Sequence, residues 1–180
     1  QVTTTYDSRM LITGVSGTTA YAGSFLYDSI NRLKGFTLGS NVGQRLYYKD
    51  WNVQGGGRLD MNVIGTGAWN ETNRAFATTL QKSTYSYDSV GNITNIYESA
   101  WGETQTFGYD ALYRLTSASA TNGLANYSES YQYDSSTGNL VNKNGLVLNY
   151  PAANAARPHA VTSAGSNTYQ YDSNGNQTTR

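Results

Sequence analysis

The stretch YSYDSVGNI at residues 85–93 decides how this chain is read. Tyr85 and Tyr87 are two residues apart, so in an extended chain their rings share one face. Asp88 then opens a segment in which a carboxylate can accept local backbone N–H groups. Gly91 follows and can take a positive φ without a Cβ penalty. Ile93 resumes an apolar pattern facing the rings. The reading is one β-hairpin: a strand, a loop built on a type I turn followed by a left-handed residue, and a return strand.

Working outward, the same phrase recurs. Tyr-Asp occurs at Tyr6-Asp7, Tyr27-Asp28, Tyr87-Asp88, Tyr109-Asp110, Tyr133-Asp134 and Tyr171-Asp172, which uses six of the eight Asp. The intervals are 21, 60, 22, 24 and 38 residues. They become nearly regular if worn copies fill the long gaps, one around Tyr48 and one around Tyr150, each 21 residues from a neighbouring pair. The chain is therefore expected to be a single repeat region over residues 1–180 with about eight units, and residues 49–84 a degenerate repeat or insertion. Within the latter, GAWNETNRAFATTL is read as another worn copy or a loop.

Aromatic pairs at period two mark the first strand of each unit: Phe25 with Tyr27, Tyr85 with Tyr87, Phe107 with Tyr109, Tyr131 with Tyr133 and Tyr169 with Tyr171. Two turn types follow them. One carries glycine, at Gly91, Gly138 and Gly175 after Asp88, Asp134 and Asp172. The other carries arginine four residues after the aspartate, at Asp28 with Arg32 and Asp110 with Arg114. In the second type Asn31 and Tyr113 stand where glycine is expected. Asn tolerates positive φ better than Tyr, so the Tyr113 turn is expected to differ in shape. Gly14, Gly35, Gly102, Gly123, Gly145 and Gly165 are read as bends between units.

A hairpin alone cannot bury its ring face, so neighbours must complete the sheet. The fold class expected is all-β: consecutive antiparallel hairpins of about 21 residues forming a curled, spiral sheet, with almost no helix. A free piece of such a sheet would expose strand edges that tend to self-associate.

Composition narrows the function classes. The hydrophobic fraction is 38%, with 16 Tyr carrying much of the ring area, which suits a thin sheet better than a thick core. Lys and Arg total 12 and Asp and Glu total 12, without a charge block, so no field draws a nucleic acid or an anionic membrane. No apolar run is long enough to span a bilayer, so direct membrane insertion is not expected. The chain has no Cys, which removes disulfides, thiolate nucleophiles and cysteine metal sites.

The residues that carry chemistry elsewhere have plainer readings here. The aspartates are turn carboxylates bonded to local backbone rather than a catalytic pair across a cleft. The calcium-loop order is absent, so neither a metal nor a cofactor is expected. Gly55 to Gly57 lack the Gly-Lys-Ser/Thr of a phosphate loop, and His159 is read as a loop residue. Exposed Tyr rings can stack on sugars, which keeps glycan binding as the alternative to a structural role. No enzymatic activity is expected.

The recurring YDxxGN and YDxxxRL strings, with an aromatic two residues before the Tyr, resemble the RHS or YD-repeat family, as does residues 157–162 followed by YQYDSNGN. The resemblance covers nearly the whole chain and is weakest from Lys49 to Thr84. It implies a spiral sheet that closes into a hollow shell in full-length proteins. In bacterial polymorphic toxins and Tc-type complexes the shell encloses a toxic polypeptide; in teneurins a related shell serves adhesion. On that basis Tyr27, Tyr87, Tyr109, Tyr133 and Tyr171 match the sheet-stacking tyrosines of the family. Asp28, Asp88, Asp110, Asp134 and Asp172 match its turn aspartates, and Gly91, Gly138 and Gly175 its turn glycines. The chain is then expected to be part of a larger bacterial protein, secreted or at the cell surface. Its partners would be the rest of that shell and an enclosed toxin, with a glycan under the alternative.

Overall fold

A computed structural model describes residues 1–39, 41–123 and 126–180. They contain β-strands, turns and no helix. The strands hydrogen-bond in chain order to form a 15-stranded sheet, and a further pair of strands follows it. This is an all-β chain of consecutive antiparallel strands, and it divides into two compact units, residues 1–105 with 121–125 and residues 106–120 with 126–180.

The first unit runs through β1 (Thr3–Tyr6), β2 (Ile12–Ser16), β3 (Ala20–Tyr27), β4 (Leu33–Leu38), β5 (Val42–Tyr48), β6 (Leu59–Asn70), β7 (Ala75–Tyr87) and β8 (Ile93–Glu98) into β9 (Glu103–Tyr109). The second holds β10 (Leu115–Thr121), β11 (Tyr127–Tyr133), β12 (Leu140–Lys143), β13 (Leu146–Asn149), β14 (Ser163–Ala164), β15 (Asn167–Thr168), β16 (Gln170–Tyr171) and β17 (Gln177–Thr179). Eight strands end on Tyr or one residue before it: Tyr6, Tyr27, Tyr48, Tyr87, Tyr109, Tyr133, Tyr150 and Tyr171.

At most of these tyrosines the ladder carries the same irregularity. Tyr87 pairs with Ile93 while Ser86 pairs with Asn95, so Thr94 has no opposite number. The same single-residue bulge recurs where Tyr6 meets Ile12, Tyr27 meets Leu33, Tyr48 meets Leu59, Tyr133 meets Leu140 and Tyr171 meets Gln177. A bulge at that place raises local twist at the end of each of these six hairpins.

The strands alternate faces. Leu26, Ser86, Gln132 and Gln170 are exposed, while the aromatic residues on either side of each are half-buried. Full burial is confined elsewhere. Met61, Val63 and Phe76 form the buried cluster, with Tyr47 and Trp69 packed on it, and Val63 is 0% exposed. Trp69 meets Phe76 edge-on at 4.9 Å and stacks on Tyr47 at 6.2 Å. The Phe76 ring lies where a Cβ on Gly43 or Gly65 would stand, so two strands approach it closely because those positions are bare.

The core of the first unit therefore sits in residues 47–76, the stretch least like the repeat. β6 and β7 form one long hairpin of 12- and 13-residue strands, closed by a turn at residues 71–74 in which Arg74 takes φ 46°. Residues 67–80 thus form the tip of that hairpin. Gly102, Gly145 and Gly165 lie in turns with positive φ, but Gly14 and Gly35 lie inside β2 and β4 rather than between hairpins. Gly35 is bare because the Gln44 carbonyl of the paired strand occupies its Cβ position.

Candidate functional site

The loop after each Tyr-Asp pair is organised around one carboxylate. In the Asp88 loop the Asp88 N–H donates to the Asn92 carbonyl at 3.0 Å and the Gly91 N–H donates to the Asp88 carbonyl at 3.2 Å. Oδ1 of Asp88 accepts the N–H groups of Val90, Gly91 and Asn92 at 2.7–3.1 Å, and Oδ2 accepts the Asn92 side-chain amide at 2.8 Å. Gly91 takes φ 102°, and the Arg58 guanidinium fills the space where its Cβ would be. Glycine is thus required there twice, by conformation and by contact.

The other loops repeat the plan. Oδ1 accepts two backbone N–H groups at Asp7, Asp28, Asp110, Asp134 and Asp172. Oδ2 is reserved for a side-chain donor: Arg9 at Asp7, Arg32 at Asp28, Arg114 at Asp110 and Asn176 at Asp172. The left-handed residues are Met10, Asn31, Tyr113, Gly138 and Gly175. Tyr113, at φ 61°, makes the loop that the Asn31 loop makes, with Asp110 N–H to Arg114 carbonyl at 3.0 Å and Tyr113 N–H to Asp110 carbonyl at 2.9 Å. The expected difference in shape is absent because the carboxylate and Arg114 fix the loop against the preference of Tyr.

These contacts hold each Asp carboxyl below its ordinary value. At Asp110 and Asp7 the leading cause is a backbone N–H, from Arg114 and Leu11 respectively. Side-chain donors lead at Asp134, from Thr137, and at Asp172, from Asn176. At Asp28 and Asp88 desolvation is the largest single influence and pushes upward, but the combined hydrogen bonds of Arg32 and of Asn92 with its neighbours prevail.

The tyrosines join one hairpin to the one before it. Their hydroxyls donate to main-chain carbonyls: Tyr27 to Ile12, Tyr48 to Leu33, Tyr87 to Leu59, Tyr133 to Leu115, Tyr150 to Leu140 and Tyr171 to Val161, at 2.7–3.0 Å. Their placement is regular. The last ladder pairs between β4 and β5, β6 and β7, and β10 and β11 are Gly35 with Arg45, Met61 with Thr84, and Ser117 with Ser130. In each case the Tyr three residues on reaches the carbonyl two residues back. The hydroxyl continues the ladder by one rung where the strands have parted, and it satisfies an acceptor that would otherwise lack a partner.

Two loops keep the rung without the aspartate. After Tyr48 the chain makes a long loop in which Gly57 N–H donates to the Lys49 carbonyl at 3.0 Å and Lys49 pairs with Asp60 at 2.7 Å. After Tyr150 it continues through Pro151 to Val161 before Tyr171 bonds that residue. Arginine adds a second tie at the short loops. Arg32 lies over Tyr48 at 4.1 Å and Arg114 over Tyr133 at 4.4 Å, each while its Nε holds the preceding aspartate at 2.7 Å.

The remaining aromatics take other places. Phe25 stacks on Phe36 at 5.5 Å, and the preceding Ser24 takes φ 52°. Tyr85, Phe107 and Tyr109 are half-buried on their strands. The Tyr131 hydroxyl donates to Glu129, whose carboxylate pushes that phenol up to about 12. Tyr169 and Tyr171 share a depression with Leu148 and Val161. His159 Nδ1 lies 2.7 Å from Oδ1 of Asn139, bracing the long loop after Tyr150. Among the described residues no group of three or more His, Cys, Asp or Glu is placed to hold a metal ion.

No protein-family model matches the chain, and no curated protein does. Solved structures do. The chain is similar to a chain of the TcdB2-TccC3 crystal structure, with a TM-score of 0.68 at 17% identity over 98% of this chain and 11% of that one. The TcdB2-TccC3-Cdc42 crystal structure gives 0.67 at 17% identity with the same coverage. A Tc holotoxin pore of Photorhabdus luminescens with a mutated TccC3 gives 0.67 at 18% identity, again over 98% and 11%. The chain thus spans about a tenth of the chains it matches. Repeated Tyr-Asp loops, sheet order and this likeness agree: in fold the chain is like those chains of Tc toxin complexes, a sheet of consecutive antiparallel strands.

Proposed function

We propose that the chain is a wall segment of an RHS-type shell in a larger bacterial protein, secreted or displayed at the surface, whose shell encloses or presents a toxin polypeptide. The observation that carries this reading is the row of Tyr hydroxyl rungs, which within each unit ties successive strands through main-chain carbonyls. The turn aspartates are spent on their own loops, which makes them structural rather than catalytic. The likeness to chains of Tc toxin complexes supports the same reading, and the other partner of the segment is then the rest of the shell.

Limited proteolysis of the purified parent protein tests it, followed by mass spectrometry. Expected is a polypeptide outside the repeat region that survives while the shell is folded and is digested once urea opens it. Equal digestion in both states, or a parent that retains a glycan polymer through Tyr131 and Tyr133 with no enclosed polypeptide, would overturn it.

A further inference from the structure

Five of the six turn aspartates have a side-chain donor on Oδ2, and at two of them the donor is an arginine that also covers the next rung tyrosine. Asp28, Arg32 and Tyr48 form one such seat, and Asp110, Arg114 and Tyr133 the other. Both place a guanidinium between a carboxylate oxygen and an aromatic face.

The Asp134 loop breaks the pattern. It is one residue longer, closing from Asp134 N–H to the Asn139 carbonyl at 2.8 Å. The Asn that would serve Oδ2 is drawn away, with Asn139 Nδ2 on the Pro158 carbonyl at 2.8 Å and its Oδ1 against His159. All three hydrogen bonds to Asp134, from Ser136 N–H, Thr137 N–H and Thr137 Oγ1, fall on Oδ1. Among the described residues Oδ2 has no donor. The next rung tyrosine is Tyr150, whose hydroxyl is committed to Leu140. Asp134 and Tyr150 both border an open cavity of about 370 Å³, together with Thr137, Asn139, Leu148 and Pro151.

We propose that this cavity is a guanidinium seat that takes an arginine side chain of a second polypeptide, with Asp134 Oδ2 accepting its N–H groups and the Tyr150 ring covering its plane. Arginine fits better than lysine. A planar fork can bond a carboxylate and stack on a ring at once, whereas an ammonium offers a point charge. The chain builds such a seat twice with its own arginines, and at this cavity Asp134 and Tyr150 offer the same two groups, a carboxylate and an aromatic ring. The proposal stands whether or not the parent protein encloses a toxin.

The test is an amide-resolved NMR titration of the 180-residue chain with N-acetyl-arginine amide. The lysine and citrulline analogues and glucose serve as comparators. Saturable shifts confined to residues 134–139 and 148–153 are expected, weaker for lysine and absent for citrulline and glucose. Asp134→Asn keeps the Oδ1 acceptor and removes the Oδ2 charge, so the affinity for the arginine probe should fall about tenfold. The wild-type chain gives a second reading that needs no variant: an intermolecular NOE between the probe δ-methylene and the Tyr150 ring protons. No saturable shift, an equal response to citrulline or glucose, undiminished binding by a folded Asp134→Asn chain, or no NOE would overturn the proposal.

Discussion

The Tyr87 hydroxyl donates to the Leu59 carbonyl at 2.7 Å, across a gap that the strands carrying them no longer close with their own backbone. The donor closes β7 and the acceptor opens β6, at the wide end of the long hairpin they form. Ring burial alone would leave Phe as good as Tyr at these positions; the bond explains why the phenol is needed.

Tyr87→Phe should therefore lower the free energy of unfolding by about 1–2 kcal/mol, since it strands a carbonyl acceptor while keeping the ring. Urea denaturation followed by far-UV circular dichroism measures this. The same change at Tyr113, a loop residue exposed by 58%, should be within about 0.5 kcal/mol of wild type. Equal effects at the two sites would remove the rung from the account.

Gly91→Ala and Gly175→Ala separate conformation from contact. Both force a Cβ into positive φ, at 102° and 86°, for a cost of about 1–2 kcal/mol. Only at Gly91 must the Arg58 guanidinium also move, whereas at Gly175 the nearest atom is Arg157 Nε at 4.0 Å. The Gly91 variant should lose more stability in thermal melts, and a reversed order would count against the contact.

Acid should weaken the fold from about pH 4 downward. The carboxyls of Asp7, Asp28, Asp88, Asp110, Asp134 and Asp172 lie below their ordinary 3.8 in the folded chain. The unfolded chain therefore binds more protons as the pH falls through that value. The stability they contribute is present above it and is lost as the folded groups protonate in turn. Urea midpoints at a series of pH values test this: little change between about pH 7 and 5, then a fall. A midpoint that holds steady through about pH 3 would contradict it.

Alkali should act through Tyr47. Burial first, and then its hydrogen bond to Glu71 at 2.7 Å, push this phenol up to about 12. A folded value above the unfolded 10.0 means that its contribution is complete below pH 10 and is lost toward 12. Glu71→Gln removes the neighbouring charge, so in a phenolate absorbance titration the late step that Tyr47 shares with Tyr131 should lose the Tyr47 share to lower pH. An unmoved step would show that Glu71 has no part in it.

The sequence makes the hairpins legible because their signals are local. Asp88, Gly91 and the paired rings Tyr85 and Tyr87 lie within seven residues, so chain stiffness and turn chemistry suffice to read them. Tyr113 shows where residue preference misleads: the bonds that Asp110 and Arg114 supply outweigh the aversion of a bulky side chain to positive φ. The rungs are harder to see, since the acceptor is a main-chain carbonyl that no side-chain pattern marks. Met61, Val63 and Gly65 do alternate buried with half-buried neighbours, a period-two signal in residues 59–70 that no Tyr-Asp pair accompanies. The lone Oδ2 of Asp134 follows from one added loop residue, which no side-chain pattern marks and which lets Asn139 turn to the Pro158 carbonyl.

The loops that follow Tyr48 and Tyr150 have no aspartate directly after the tyrosine, yet keep the hydroxyl bond to the strand before. Sheet integrity at those points is thereby uncoupled from loop length, because the fastening lies upstream of the loop. A foreign peptide spliced between Asp50 and Gln54, or between Ala152 and Ala156, should ride on the wall as cargo without loosening it. The same splice inside residues 88–92 would scatter the donors that one carboxylate gathers.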